Sequence, residues 1–114
     1  MNKLEVLKKV FGYDSFRDGQ EQIVDSILRG QDVLGIMPTG AGKSICYQLP
    51  ALMMSGITIV VSPLISLMID QVKALNEAGV HAAYINSALT ETQVTKALYN
   101  AMMGRYKIVY VAPE

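Results

Sequence analysis

The residues with the clearest chemical potential run Met37-Pro-Thr-Gly-Ala-Gly-Lys-Ser44. An apolar run, Val33-Leu34-Gly35-Ile36, leads into them, and apolar residues at helical spacing follow from Ile45 to Met54. A strand, a glycine-rich turn and a helix in that order make a phosphate-binding loop. Gly40 and Gly42 permit a left-handed backbone and let a ligand come close where a Cβ would intrude. Such a turn aims several N–H groups, and the positive end of the helix, at one point, which suits an anion. Lys43 is placed to reach the terminal phosphates of a nucleotide, and the Ser44 hydroxyl to sit on Mg²⁺. In one respect the chain departs from the strict pattern, which has glycine at position 37, where this chain has Met37.

Four β-type runs surround or follow that loop, Asp32 to Ile36, Thr58 to Val61, Ala82 to Ile85 and Lys107 to Val111, spaced by about 25 residues. Helical patterns separate them, so the expected fold is α/β, with successive βαβ units, a parallel sheet and right-handed crossovers. The second and fourth runs are continuous and β-branched, as in strands covered on both faces. Residues 3–11 predict a short amphipathic helix with Leu4, Leu7 and Phe11 on one face and Gly12 as its stop. Phe16 to Arg29 predicts a second helix, capped by Ser15, with a stripe of Phe16, Ile23, Val24, Ile27 and Leu28. The helix after the loop should bury Ile45, Leu49, Leu52 and Met53, with Pro50 kinking or ending it early. Ser62-Pro63 reads as cap and first position of the next helix, with Leu64, Leu67, Met68, Val72 and Leu75 buried and Gly79 as its end. Thr90-Glu-Thr-Gln93 resembles a capping box for a last helix running to about Met103. Met53, Met54, Met102 and Met103 are expected to fill the core, and His81 to lie at the surface or be satisfied within the fold.

At 114 residues, 51% of them hydrophobic, the chain has enough apolar material for one core. Its apolar runs fall far short of the roughly 20 residues that span a bilayer, and its first residues do not read as a signal peptide. Cys46 stands alone, which leaves no intrachain disulfide and favours an intracellular, cytoplasmic setting. Ten basic residues balance ten acidic ones, so charge alone does not make a nucleic-acid face. Any such contact must be local and positioned. Gln20 falls on the apolar stripe of its predicted helix. An amide there is either solvated near the helix start or reading something specific, such as the N6/N7 edge of adenine.

Four stretches together resemble the RecQ-type DNA helicases of superfamily 2. They are Leu7-x-x-x-Phe11-Gly-x-x-x-Phe16-Arg-x-x-Gln20, Met37 to Ala51 with its Pro-Thr-Gly-x-Gly-Lys-Ser and Cys-Tyr-Gln-Leu-Pro runs, Val60 to Gln71, and Tyr110-Val-Ala-Pro-Glu114. The resemblance implies a RecA-like P-loop NTPase lobe, here incomplete, with a helical adenine-recognition segment over residues 1–30 and part of the parallel sheet over residues 31–114. It implies ATP and Mg²⁺ as cofactors. Arg17, Gln20, Pro38, Thr39, Gly40, Ala41, Gly42, Lys43 and Ser44 would hold the nucleotide, with Lys43 catalytic and Ser44 on the metal. Ser62, Pro63, Leu64, Gln71, Asn86, Ser87 and Pro113, with the adjoining Ala112 and Glu114, would lie along single-stranded or partly duplex DNA, mostly through backbone and phosphate contacts. It further implies a role in recombination and repair beside the nucleoid.

ATP hydrolysis on a P-loop also needs a strand-end carboxylate for Mg²⁺ and usually an arginine finger. After the phosphate loop no apolar run ends in Asp-Glu, and Arg17, Arg29 and Arg105 sit in no finger motif. The chain is therefore expected to resemble the first half or so of the first lobe, to bind nucleotide without hydrolysing it, and to self-associate through an exposed sheet edge. Alternative readings are a non-enzymatic nucleotide-binding or partner-docking module, a small P-loop phosphotransferase, and an RNA-directed relative. The arginine-poor stretch from Gly30 to Gly104 disfavours the phosphotransferase, and the Cys46-Tyr47-Gln48-Leu49-Pro50 run favours the DNA-directed family.

Overall fold

The structure of the chain, a computed structural model, describes residues 2–37 and 42–113. It divides into two units, Met1–Ser55 and Gly56–Glu114.

In the first unit the Asn2 side chain accepts from the Glu5 N–H and caps α1 (Lys3–Val6), which widens into a π-helical turn over Leu7–Phe11 and stops at Gly12. The wider turn shifts the phase expected of a regular helix. Leu4 is exposed, Val6 and Leu7 are buried, and Val10 and Phe11 pack onto the core. Lys3 lies 2.6 Å from Asp25 and 2.8 Å from Glu21, and these two carboxylates, Asp25 foremost, raise the pKa of its ammonium. Both acids belong to α2 (Gln20–Leu28), which starts four residues later than the Phe16 expected from the pattern. Gly19 explains the shift. Its φ of +86° is left-handed and cannot continue a helix, so Arg17 to Gln20 close a turn instead. α3 (Lys43–Met53) runs through Pro50 without ending early. Val6, Leu7, Val24, Ile45 and Leu49 make the core of this unit, with Phe16, Leu28, Leu52 and Met53 packed against it.

The expected strand at Asp32 to Ile36 is not formed. Residues 31–37 carry no regular secondary structure, and Leu34 and Ile36 are 89% and 88% exposed. A parallel strand exists only through a neighbour's backbone, and among the described residues none pairs with this run. Gly35 nonetheless lies close to α2, where an added Cβ would come within 3.0 Å of Ile23 Cδ1.

The second unit holds a parallel sheet of β1 (Thr58–Val61), β2 (Ala82–Ile85) and β3 (Ile108–Val111), ordered β1-β3-β2, with α4 (Ile65–Glu77) and α5 (Glu91–Met102) between strands. β3 is central, and Ile108, Val109 and Tyr110 are buried as a doubly covered strand requires. β1 departs from expectation. It is one of two edge strands among the described residues, and Ile59 and Val61 on one face are 62% and 66% exposed. α4 begins at Ile65 and not at Pro63, because the Ser62 Oγ accepts from the Leu64 N–H at 3.1 Å and closes a local turn first. Met68, Val72 and Leu75 then form its buried face, while Leu64 and Leu67 stay exposed. The Asn76 amide pairs with both the N–H and the carbonyl of Ala82, tying the last turn of α4 to β2. The capping box at Thr90 and Gln93 is formed as expected. α5 buries none of its residues, and Met102 is 85% exposed with Met103 also exposed, so neither fills the core. That helix meets the sheet through the half-buried Val94, Ala97 and Ala101, whose i, i+3, i+7 spacing turns Met102 outward.

Leu49→Ala should cost about 2–5 kcal/mol, as for a large side chain removed from a closed core. Met102→Ala should cost less than about 0.5 kcal/mol. Chemical denaturation followed by circular dichroism checks both; equal losses would return Met102 to the core.

Candidate functional site

The site is built around the side chain of Gln20, which is 2% exposed. The Gly19 turn points it inward at the first position of α2. Its Oε1 accepts from the Arg17 N–H at 2.8 Å, and its Nε2 donates to the Gly42 carbonyl at 3.0 Å. The Gln20 N–H in turn donates to the Arg17 carbonyl at 3.1 Å. One amide thus joins the turn before α2 to the residue that opens α3, 22 positions later in the chain. Gly42 has two reasons to be glycine. Its φ is +77°, and a Cβ there would overlap the Gln20 Nε2.

Beside this bridge lies a cavity of about 570 Å³, lined by Tyr13, Asp14, Ser15, Arg17, Gln20, Gly42 and Ile45. It offers an aromatic face, a guanidinium, a carboxylate, a hydroxyl and an apolar wall, a set suited to a flat heteroaromatic base and its sugar. Tyr13, Asp14, Ser15 and Ile45 lie outside the set that the sequence singled out. An aromatic between Gly12 and Phe16, in a stretch without helical pattern, was the available signal for Tyr13. Its backbone is anchored, the Tyr13 N–H donating to the Leu7 carbonyl at 3.3 Å. Lys43, exposed, and Ser44, half-buried, are the first two residues of α3, an 11-residue helix whose N-terminal amides and dipole favour an anion. Arg17, Gln20 and Gly42 therefore meet at one cavity, with Lys43 and Ser44 directly after Gly42 in the chain. Pro38, Thr39, Gly40 and Ala41 lie outside the described residues.

Cys46, one turn into α3, is buried, with its Sγ 3.6 Å from the Met37 Sδ and 4.0 Å from the Gly42 carbonyl. Burial pushes its thiol pKa up. Its visible role is to hold the segment entering the loop against the helix leaving it. Among the described residues no group of three or more His, Cys, Asp or Glu could hold a metal ion.

In the second unit, Val61, Val111 and Ile85 stand in register across the sheet. Their successors Ser62, Ala112 and Asn86 consequently share one edge, where the Ser62 N–H donates to the Val111 carbonyl and the Ala112 N–H to that of Ile85. This is the carboxyl edge of a parallel sheet, where α/β folds take ligands. Pro63, Leu64, Ser87 and Pro113 are exposed there. Asn86 is buried; its Oδ1 accepts from the Ala88 N–H at 2.9 Å and its Nδ2 faces the Met68 Sδ at 3.9 Å, so its amide shapes the turn that presents Ser87. Gln71 is half-buried midway along α4, roughly 9 Å from the helix start. Glu114 lies outside the described residues.

Three predictions arise here. Gln20→Ala leaves the Gly42 carbonyl and the Arg17 N–H without that partner and should cost about 1–3 kcal/mol. Gly42→Ala should cost less in the Gln20→Ala background than alone, which a double-mutant cycle of denaturation energies measures; strict additivity would remove the coupling. Because the thiolate form is disfavoured in the fold, iodoacetamide at pH 8 should modify native Cys46 at least about tenfold more slowly than the unfolded chain. Equal rates would contradict its burial.

Residues 17–114 match the DEAD/DEAH box helicase family. The chain is 51% identical over 111 residues to the ATP-dependent DNA helicase RecQ of Haemophilus influenzae, covering 97% of this chain and 18% of that protein. It is 52% identical over 110 residues to the ATP-dependent DNA helicase RecQ of Bacillus subtilis, covering 96% of this chain and 19% of that protein. The chain thus spans about a fifth of the length of these curated relatives. Its fold is similar to that of a hypothetical ATP-dependent RNA helicase from Sulfolobus tokodaii, with a TM-score of 0.75 at 24% identity over 99% of this chain and 34% of that one. That similarity fits a RecA-like parallel sheet with flanking helices. With a family match that begins at Arg17 and takes in the Gln20 bridge, Lys43 and the whole sheet, the chain belongs to the DEAD/DEAH box helicases.

Proposed function

We propose that this chain is the N-terminal part of the ATP-binding lobe of an ATP-dependent DNA helicase, and that it binds Mg-ATP. The reading rests above all on the cavity at Tyr13, Arg17 and Gln20 opening beside Gly42, with Lys43 and Ser44 next in the chain. Residues 1–30 recognise adenine and residues 31–114 supply part of the RecA-like sheet. The base stacks at Tyr13 and Arg17, and Gln20 carries the state of the base site to the loop through the Gly42 carbonyl. Adenine readout by that amide draws on a group that already fixes the turn to the loop. The loop from Pro38 to Gly42, through the N–H groups of its residues after the proline, and the start of α3 hold the phosphates. Lys43 neutralises the terminal phosphates and Ser44 ligates Mg²⁺.

The carboxyl edge of the second unit, with Ser62, Pro63, Leu64, Asn86, Ser87 and Pro113, lies along the sugar–phosphate backbone of single-stranded or partly duplex DNA, and Gln71 backs it from α4. Backbone contact is compatible with a formal net charge of zero. Hydrolysis and unwinding belong to the longer protein, which supplies the strand-end carboxylate and arginine finger that phosphoryl transfer requires. Recombination and repair near the nucleoid, inside the cell, are the setting that the resemblance to RecQ-type helicases implies. No described helix is long and apolar enough to cross a membrane. Taken alone, the chain self-associates through the apolar edge of β1.

Thermal melts with Mg-ATP and with Mg-GTP at equal concentration test the reading. At a hundredfold excess over Kd, ATP should stabilise the chain by about 2.7 kcal/mol, with GTP giving less. Lys43→Ala should abolish the ATP shift. A cooperative melt that ATP does not move would overturn the proposal of a working site in this chain, and equal shifts would remove the adenine preference.

A further inference from the structure

Building on the nucleotide reading of the cavity beside Gln20, we propose that Asp14 is a specificity-determining residue of that site. Its carboxylate accepts a hydrogen bond from a donor group of the bound nucleoside, either a ribose hydroxyl or the exocyclic amine of adenine.

Among the described residues lining the cavity, Asp14 is the one carboxylate. Next to a site for a polyphosphate a negative side chain is electrostatically unfavourable unless a donor faces it. An ionised carboxylate is acceptor-only, so it selects for donors. An adenosine nucleotide has few of these. Its phosphate oxygens and ring nitrogens N1, N3 and N7 accept, which leaves the N6 amine and the ribose hydroxyls as the groups that complement Asp14. They also lie at the nucleoside end, where Tyr13 and Arg17 stand, and away from the phosphates at the start of α3.

The other polar groups of the cavity do not fill this role. Arg17 has a donor-only side chain. The Gly42 carbonyl already accepts from Gln20. Ser15 offers a neutral hydroxyl, a weaker acceptor than a carboxylate. Asp14 itself is held only loosely, by a 3.7 Å ion pair with Lys8 in which both side chains are largely exposed. Pairs of that kind contribute little, so the carboxylate turns toward a ligand at small cost. The anchored backbone of its neighbour Tyr13 keeps it at the cavity rim. Carboxylates that receive ribose hydroxyls are a recurrent solution in nucleotide-binding α/β folds, which makes the chemistry sufficient for selection.

Calorimetric titration of the full chain and of Asp14→Ala and Asp14→Asn, with ATP, 2′-deoxyATP, 3′-deoxyATP and purine riboside triphosphate in the presence of Mg²⁺, tests this. Asp14→Ala should weaken ATP about five- to tenfold, and Asp14→Asn, which keeps a neutral acceptor, should weaken it less. The nucleotide lacking the relevant donor should bind the unaltered chain more weakly than ATP and respond to Asp14→Ala by less than about twofold. Loss of the response with a deoxynucleotide assigns the ribose; loss with purine riboside triphosphate, which lacks the amine and adds no donor, assigns the amine. An unchanged ATP affinity in Asp14→Ala, or an equal weakening of all four nucleotides, overturns the proposal and leaves the nucleotide site standing. Failure of the unaltered chain to bind any of them overturns the site and the proposal together. Circular dichroism of both variants, whose change is at an exposed position, confirms that they fold.

Discussion

The buried amide of Gln20 is the constraint on which the first unit depends. A carboxamide shielded from solvent must have its donors and acceptors matched, since each left unmatched costs on the order of 1–3 kcal/mol. Here the matching is done by two backbone groups far apart in sequence, the Arg17 N–H and the Gly42 carbonyl. Because both partners are main chain, the contact sets the course of the backbone as well as the place of a side chain. It requires the left-handed turn at Gly19, sets where α2 begins, and excludes any side chain at Gly42. The hydrophobic core of Val24, Ile45 and Leu49 packs α2 on α3 immediately behind it, which gives the bridge a rigid backing.

Around that bridge the chemistry is divided by type. Aromatic, carboxylate, hydroxyl and guanidinium groups come from the irregular stretch Tyr13 to Arg17, and a helix N-terminus with Lys43 and Ser44 from the start of α3. Cys46 contributes from behind, with its buried sulfur against the Met37 sulfur and near the Gly42 carbonyl. Binding groups on loops backed by packed helices are a common division of labour, since loops reach and helices hold. Gly42 stands at the junction, sharing its carbonyl with Gln20 and beginning the helix that Lys43 continues.

The second unit works by a different constraint. In a parallel sheet every strand ends on the same side, so three segments distant in sequence are brought side by side without any specific contact among their side chains. Ser62, Asn86 and Ala112 become neighbours through register alone. What each presents is then decided locally. A serine turn delays α4 and leaves Pro63 and Leu64 exposed, and the Asn86 amide turns inward and leaves Ser87 outside.

Much of this was legible in the residues. The runs at Thr58, Ala82 and Lys107 became strands, the Thr90 capping box formed, and Lys43 opens a helix. These features depend on local chemistry: β-branched runs, a capping hydroxyl with its glutamine, a glycine before a lysine at a helix start. The sequence also marked Gln20 as out of place on an apolar stripe. Its partners were decided only by the tertiary structure, because the Gly42 carbonyl lies across the fold. The same holds for the strand expected at Asp32, whose apolar pattern is satisfied only by a neighbouring backbone, and for β1, where Ile59 and Val61 face solvent although the run is apolar. Met102 makes the same point. Its chemistry suits a core, but which face of α5 meets the sheet was set by Val94, Ala97 and Ala101 together with the packing of that helix. Local hydrogen bonding and steric preference can be read along the chain, whereas pairing, burial and cavity walls depend on which distant segments meet.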